Sequence, residues 1–152
     1  MTLYVVRHGK AGSRSAWTEP DDLRPLIKAG RRQAAVIGDA LATTPVRQIL
    51  SSPYVRCRQT VEPLAERLRL PVDLSDALEE GAPLAETLAL IDKIGDDIAV
   101  LCTHGDVMGE LLSHCVRQGV RVETDLLQKG STWVLETEAG TIVDARYVPP
   151  PA

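Results

Sequence analysis

Short apolar runs alternate along this chain with longer stretches of helical periodicity. The runs are continuous and apolar, as is typical of strands buried on both faces of a sheet; they span 3–6, 46–50, 72–74 and 98–102. Stretches with apolar residues at three- and four-residue spacing predict helices; these are 26–42, 53–68, 84–94 and one that begins near Asp106. Two last runs, 132–136 and 142–147, flank a turn at Ala139-Gly140 and predict a hairpin. We therefore expect an α/β fold, a three-layer α/β/α sandwich whose central sheet is mostly parallel with one antiparallel edge strand.

Four residues mark helix boundaries or interruptions in this pattern. Ser52 is expected to cap the second helix, with Pro53 at its first position. Pro63 lies inside the same helix and has no N–H, so we expect a kink or a break near 59–62. Asp106 is expected to be the N-cap of the fourth helix.

Size and composition narrow the classes of protein. A length of 152 residues favours one domain that spans 1–152. The net charge of −4 disfavours a nucleic-acid polymer or a membrane surface as the partner. Three widely spaced cysteines without a CxxC pair predict neither a metal site nor a disulfide framework. Because the first apolar run is also too short for a signal peptide, we expect a cytoplasmic protein.

Chemically distinctive residues follow the predicted strands where each one ends. They form the segments Arg7-His8-Gly9-Lys10, Ser51–Arg56, Glu79-Glu80 and Thr103-His104-Gly105-Asp106. In open α/β sheets, ligands bind beyond the carboxyl ends of the strands, so these segments are expected to meet at one site. Guanidinium groups match the oxygens of phosphate, and a protonated imidazole adds a further donor. Arg7, Arg56 and His104 therefore predict a site for a phosphorylated ligand.

His8 is suited to a different role from these binding groups. A neutral imidazole is a nucleophile toward phosphorus, and neighbouring cations should keep His8 neutral near pH 7. Departure of the leaving group needs a proton donor, which Glu80 or Glu79 could supply before accepting a proton from water. A hydrogen-bonded structural Arg-His pair and ordinary loop glutamates are the alternatives for each segment taken singly.

Taken together, the segments resemble the histidine phosphatase superfamily, also called phosphoglycerate-mutase-like. The resemblance is carried by Arg7-His8-Gly9, Ser52-Pro53-x-x-Arg56 with Gln59-Thr60, and Thr103-His104-Gly105-Asp106, in this order. Asp22-Leu23-Arg24-Pro25-Leu26, with Gly30 and Gln33-Ala34, is similar to the short members of the family.

The resemblance implies a three-layer fold and a phosphohistidine intermediate, with no metal and no organic cofactor. On the matching positions, His8 is the nucleophile, while Arg7, Arg56 and His104 hold the phosphoryl group. A Leu-x-Glu pattern at 78–80 favours Glu80 as the proton donor, with Glu79 as the fallback. The chain departs from the mutases after this point, where Glu80-Gly81-Ala82-Pro83 replaces their glycine- and glutamate-containing continuation. Lys10 stands where an acidic residue or Gln is common and is expected to add charge for the substrate.

The function expected is a metal-independent phosphatase that hydrolyses a phosphomonoester or terminal phosphate of a small metabolite or nucleotide through phospho-His8. The alternative is a protein phosphohistidine phosphatase that acts on a signalling phosphotransfer domain. A mutase ranks lower because the chain leaves little length for a lid that excludes water. A non-catalytic phosphate-binding module also ranks lower, since the nucleophile and the phosphate-binding residues are all present. The roles of Trp17 and Lys129 stay open.

Overall fold

The computed structural model describes residues 1–152 as a single six-stranded sheet flanked by four helices. The strands are β1 (Thr2–Arg7), β2 (Gln48–Ser51), β3 (Val72–Leu74), β4 (Ala99–Thr103), β5 (Thr132–Glu138) and β6 (Thr141–Val148). The helices are α1 (Lys28–Leu41), α2 (Val55–Leu68), α3 (Leu84–Ile94) and α4 (Gly105–Arg117). Short 3-10 helices lie at Asp21–Leu23 and Asp76–Leu78. None of the helices combines the length and the apolar character needed to cross a membrane.

The strand order is β3-β2-β4-β1-β5-β6, and the pairings confirm the predicted mostly parallel sheet. β1 pairs in parallel with β4, and β2 pairs in parallel with both β3 and β4. β5 pairs antiparallel with β1 and with β6. The one strand of opposite direction is therefore β5, which lies one position inside the edge that β6 forms.

Two apolar cores, one on each face of the sheet, produce the predicted three layers. Side chains alternate between the faces of a strand, so Val5 belongs to the core beneath α3 and α4, whereas Val6 belongs to the core beneath α1 and α2. Leu101 and Cys102 of β4 divide between the two cores in the same way. The central strands are apolar on both faces because helices cover both.

Helix α2 corrects two expectations about its boundaries. It begins at Val55, with Tyr54 as the N-cap residue, rather than at Pro53 with Ser52 as the cap. Of the kink or break predicted near 59–62, the break is wrong, because the helix continues through Pro63 to Leu68. A proline inside a helix costs about 3 kcal/mol, and the burial of Val61 and Leu64 against the sheet offsets that cost.

Helix α4 corrects a third expectation. Its N-cap residue is His104, and Asp106 lies inside the first turn of the helix. The Asp106 carboxylate instead accepts a hydrogen bond from the Gly81 N–H, at 2.7 Å, and so anchors the loop that carries Glu80. Parallel pairing places the ends of β1, β2 and β4 side by side, which brings the segments that follow them together.

Candidate active site

His8 directly follows β1, and backbone contacts on both sides fix its position. Its N–H donates to the Thr103 carbonyl at 3.1 Å, and its own carbonyl accepts from the Gly130 N–H at 2.9 Å. The ring is buried, and Nδ1 lies 2.8 Å from the Gly9 carbonyl oxygen. Because a carbonyl only accepts, Nδ1 carries the proton, which leaves the lone pair of the neutral ring on Nε2.

The surroundings of His8 favour its neutral form. Burial is the largest influence, and the neighbouring His104, Arg56 and Arg7 add to it. The Gly9 carbonyl acts in the opposite direction, yet the pKa of His8 falls from 6.5 to about 3. An imidazole in this environment keeps its lone pair at neutral pH.

His104 is buried opposite His8, with the two ring centroids 5.5 Å apart. Its Nε2 lies 2.8 Å from the Ser52 hydroxyl oxygen, and Tyr54 packs edge-on against its ring. Nδ1 is buried and has no hydrogen-bond partner. Ser52 therefore orients this imidazole, which is a different use from the helix cap expected of it.

Arg7, the last residue of β1, lies against the first turn of α4. Its Nη1 donates to the Leu127 carbonyl at 2.5 Å, while its buried Nε has no partner. A Cβ on Gly105 would lie 2.9 Å from the Arg7 Cζ atom, so any other residue at 105 would displace the Arg7 guanidinium. Burial is the largest influence on the Arg7 guanidinium, and its pKa is lowered.

Arg56, in the first turn of α2, is completely buried. Its Nη1 donates to the Asp21 carbonyl at 2.8 Å and its Nη2 to Asp21 Oδ2 at 2.9 Å. Nη2 also lies 3.8 Å from Glu80 Oε1, and Nε is buried without a partner. Thus one residue of the loop after β1 compensates the charge of this buried arginine.

The two candidate glutamates occupy different places. Glu80 lines the cavity, and its Oε1 accepts a hydrogen bond from Arg14 Nη2 at 2.8 Å. Glu79 is half-buried and is not among the residues that line the cavity.

These elements surround an open cavity of about 730 Å³. His8 and His104 line it, together with six charged residues: Arg7, Arg14, Arg24, Lys129, Glu80 and Asp106. Burial lowers the pKa of Lys129, and the positive charges of the neighbouring arginines lower it further. The cavity is thus lined mostly by polar and positively charged groups, which suits an anion.

Besides Glu79, three candidates from the sequence are not among the residues that line the cavity: Arg56, which is buried behind it, Lys10 and Trp17. Lys10 is exposed; its backbone N–H donates to Gln33 Oε1 at 2.9 Å. Trp17 donates from Nε1 to the Pro20 carbonyl at 2.9 Å and so anchors its own loop. No group of three or more potential metal ligands occurs in the structure.

Sequence reasoning missed Asp21 and Arg24, which lie with Arg56 at the edge of the site. The two are three residues apart, and Arg24 Nε donates to Asp21 Oδ1 at 3.0 Å. Opposite charges three residues apart are visible in the sequence, but such pairs are common and do not indicate a functional site. Nothing in the sequence links this pair to Arg56. The structure also gives Thr60 a role, since its hydroxyl donates to the Arg56 carbonyl at 2.7 Å and accepts from the Gly9 N–H at 3.0 Å.

Comparisons with known proteins identify the family. The sequence model of the Histidine phosphatase superfamily (branch 1) matches residues 3–85, which is more than half of the chain. The chain belongs to this superfamily, as its sequence predicted.

Individual relatives agree with this assignment. The chain is 38% identical over 156 residues to the 8-oxo-(d)GTP phosphatase of Mycolicibacterium smegmatis, an alignment that covers 99% of this chain and 48% of that protein. It is 28% identical over 88 residues to the phosphohistidine phosphatase SixA of Escherichia coli, across 57% of this chain and 52% of that protein. The chain thus spans about half the length of these curated relatives.

A solved structure supports the fold. The protein histidine phosphatase SixA complexed with tungstate superposes with a TM-score of 0.79 at 18% identity, covering 99% of this chain and 96% of that one. The predicted three-layer α/β fold is confirmed.

Proposed function

We propose that this chain is a metal-independent phosphatase that hydrolyses a phosphomonoester or terminal phosphate by way of a phosphohistidine on His8. The observation that carries the proposal is a set of buried nitrogens without partners around a neutral imidazole: Arg7 Nε, Arg56 Nε and His104 Nδ1. Buried polar groups are nearly always hydrogen-bonded. A phosphoryl group offers several acceptor oxygens and negative charge, which is what these groups need.

In the proposed first step, the Nε2 lone pair of His8 forms a bond to phosphorus as the bond from phosphorus to the leaving oxygen breaks. The electrons of that bond go to the leaving oxygen, and the Glu80 carboxyl supplies the proton that it needs. Arg7, Arg56 and His104 hold the non-bridging oxygens throughout. Since phosphoryl transfer has a loose transition state, positioning and charge stabilisation provide most of the catalysis.

In the second step, water attacks phosphorus and Glu80 takes a proton from that water. The bond from phosphorus to Nε2 breaks and returns its electrons to His8, so inorganic phosphate leaves and the enzyme is regenerated. Nδ1 keeps its proton and donates it in a hydrogen bond to the Gly9 carbonyl during both steps, so Nε2 is the reactive nitrogen each time. Lys10 is proposed to contact a part of the substrate outside the cavity, because its side chain is exposed in the loop that follows β1.

A small phosphorylated metabolite, including a nucleotide, is the proposed substrate. Its support is the identity to the 8-oxo-(d)GTP phosphatase and the cations beyond the phosphoryl-binding residues, Arg14, Arg24 and Lys129. A phosphohistidine on a signalling phosphotransfer protein is the second candidate. Its support is the partial match to phosphohistidine phosphatase SixA and the open cavity of about 730 Å³, which has room for a side chain from another protein.

We further propose that residues 1–152 form one domain and act in the cytoplasm. One continuous sheet with a core on each face supports the first statement. Three unpaired thiols, Cys57, Cys102 and Cys115, support the second, because reducing compartments keep thiols unpaired.

Hydrolysis of p-nitrophenyl phosphate tests the reaction. Activity should persist in excess EDTA, fall with vanadate, and be lost in His8→Ala. His114→Ala is the matched control, since His114 lies in the last turn of α4 and does not line the cavity. Stopping the reaction in alkali, which preserves phosphohistidine, should trap label from a radioactive phosphate ester on the wild type and on His114→Ala but not on His8→Ala. Full activity in His8→Ala, or a requirement for an added divalent metal, would contradict the mechanism.

A substrate comparison separates the two candidates. 8-Oxo-GTP, 8-oxo-GDP and a histidine-phosphorylated phosphotransfer domain are assayed at equal concentration with the same enzyme. A higher kcat/KM for the nucleotides supports the first candidate, and a higher value for the phosphoprotein supports the second.

A further inference from the structure

Asp21 contacts Arg56 more extensively than any other residue at the site does. Two different atoms of Asp21, the backbone carbonyl and carboxylate Oδ2, accept from two different nitrogens of Arg56. An arginine side chain can rotate about several bonds, and contacts to both terminal nitrogens fix the plane of its guanidinium. The Arg56 side chain is 0% exposed, so water does not reach the Arg56 side of these contacts.

Asp21 is itself held in place. Its other carboxylate oxygen, Oδ1, accepts from Arg24 Nε at 3.0 Å. Arg24 is buried and donates from Nη1 to the Gly12 carbonyl at 2.5 Å. A chain of hydrogen bonds therefore runs from Gly12, in the loop after β1, through Arg24 and Asp21 to Arg56.

The contacts leave Arg56 able to bind a phosphoryl group. A guanidinium has five N–H donors, and Asp21 takes one from each terminal nitrogen. Nε remains buried without a partner. Asp21 thus compensates the charge of this buried cation before a substrate arrives, while the Nε donor stays available to a phosphoryl oxygen.

We propose that Asp21 is a positioning residue of the phosphate site, which orients the Arg56 guanidinium for the phosphoryl oxygens and is braced by Arg24. This inference rests on the proposed function, because it assigns Arg56 to phosphate. Asp21 touches neither the substrate nor the reacting atoms in this role, and it acts through Arg56.

Orthophosphate is the probe, with its dissociation constant measured by calorimetry, alongside kcat and KM for p-nitrophenyl phosphate. Loss of a charged hydrogen-bond partner is expected to raise the dissociation constant and KM of Asp21→Ala about tenfold or more. Asp21→Asn keeps an acceptor oxygen without the charge and should show a smaller increase. Asp22→Asn is the matched control, since Asp22 is an exposed neighbour on the same 3-10 helix, and it should leave every value unchanged.

A double-mutant cycle shows whether Asp21 acts through Arg56. In an Arg56→Ala background, Asp21→Ala should have little further effect on phosphate affinity. A purely structural role would lower the melting temperature and the active fraction while leaving KM and phosphate affinity unchanged. Asp21→Asn, which is isosteric, provides the same comparison if Asp21→Ala does not fold.

Three outcomes would overturn the inference. Unchanged phosphate affinity in Asp21→Ala and Asp21→Asn would overturn this inference and leave the proposed function standing. Additive effects in the double-mutant cycle would do the same. Tighter binding in Asp21→Ala would mean that Asp21 competes with phosphate for Arg56. A wild-type chain that neither binds orthophosphate nor hydrolyses p-nitrophenyl phosphate would contradict the proposed function itself.

Discussion

Two groups of residues at the site differ in burial. The inner quartet is Arg7, His8, Arg56 and His104, which lie at strand ends or in the first turn of a helix; His8, Arg56 and His104 are buried and Arg7 is half-buried. The loop trio is Arg14, Glu80 and Lys129, which lie on connecting segments. The side chain of Arg56 is 0% exposed, whereas those of Glu80 and Arg14 are 33% and 64% exposed.

The difference in burial separates what each group can do. Charges in the inner quartet are more shielded from water and interact more strongly with one another and with a bound anion. Charges in the loop trio are screened, and an exposed ion pair such as Arg14–Glu80 contributes about 0–1 kcal/mol. We therefore expect the quartet to determine the reaction and the trio to adjust leaving-group chemistry and substrate range.

The largest expected contrast is between one arginine of each group. Arg7→Ala should lower kcat/KM about 10²- to 10³-fold, the usual cost of losing a preorganised donor to the transition state. Arg14→Ala should lower kcat/KM less than about tenfold for p-nitrophenyl phosphate. Steady-state kinetics, with circular dichroism to verify folding, measures both. Equal losses would break the division into two groups.

The next contrast is within the segment that carries Glu80. Glu80→Gln should cost about 10²-fold in kcat for an alkyl phosphate, which has a poor leaving group, and much less for p-nitrophenyl phosphate. Glu79→Gln is the control and should leave both rates near wild type, because Glu79 does not line the cavity. If Glu79→Gln shows the leaving-group dependence instead, the proton donor is Glu79.

The low pKa of His8 predicts a dependence of stability on pH. The folded pKa of about 3 lies below the unfolded value of 6.5, so the unfolded chain binds a proton that the folded chain does not. The contribution of His8 is therefore complete above pH 6.5 and decreases as the pH falls toward 3. Between pH 7.5 and 4.5 the wild type should lose about 2 to 3 kcal/mol more than His8→Ala does.

Urea unfolding at several pH values measures this loss. His114→Ala serves as the comparison and should keep the wild-type dependence, since His114 lies away from the site. Parallel curves for the wild type and His8→Ala would mean that His8 is not held neutral in the fold.

The smallest expected effect concerns the stability contributed by the loop trio. Arg14→Ala should change the free energy of unfolding by less than about 1 kcal/mol, because its partner and its own side chain are exposed. Thermal unfolding at low and high salt measures it, and salt should reduce even this difference. A loss of several kcal/mol would show that the Arg14–Glu80 pair belongs with the buried contacts.

The amino-acid sequence by itself determined the order of the elements, the three layers and the family. Apolar runs such as those containing Val5 and Leu101 are buried on both faces, and this pattern depends only on which residues are apolar. The segments around His8 and His104 follow strands, and parallel pairing brings such ends together whatever the loops do.

Only the tertiary structure decided how the polar side chains are used. Ser52 and Asp106 are residue types that commonly cap helices. In the fold, Ser52 instead forms a hydrogen bond with His104, and Asp106 accepts one from the loop that carries Glu80. Helix α2 continues through Pro63 because burial of the neighbouring apolar residues outweighs the free-energy cost of a proline inside a helix. Asp21 reaches Arg56 across a separation of 35 residues. A hydrogen bond requires a partner at a specific distance and angle, and the folded positions of distant segments supply that geometry, whereas apolar burial requires only that a residue lie inside.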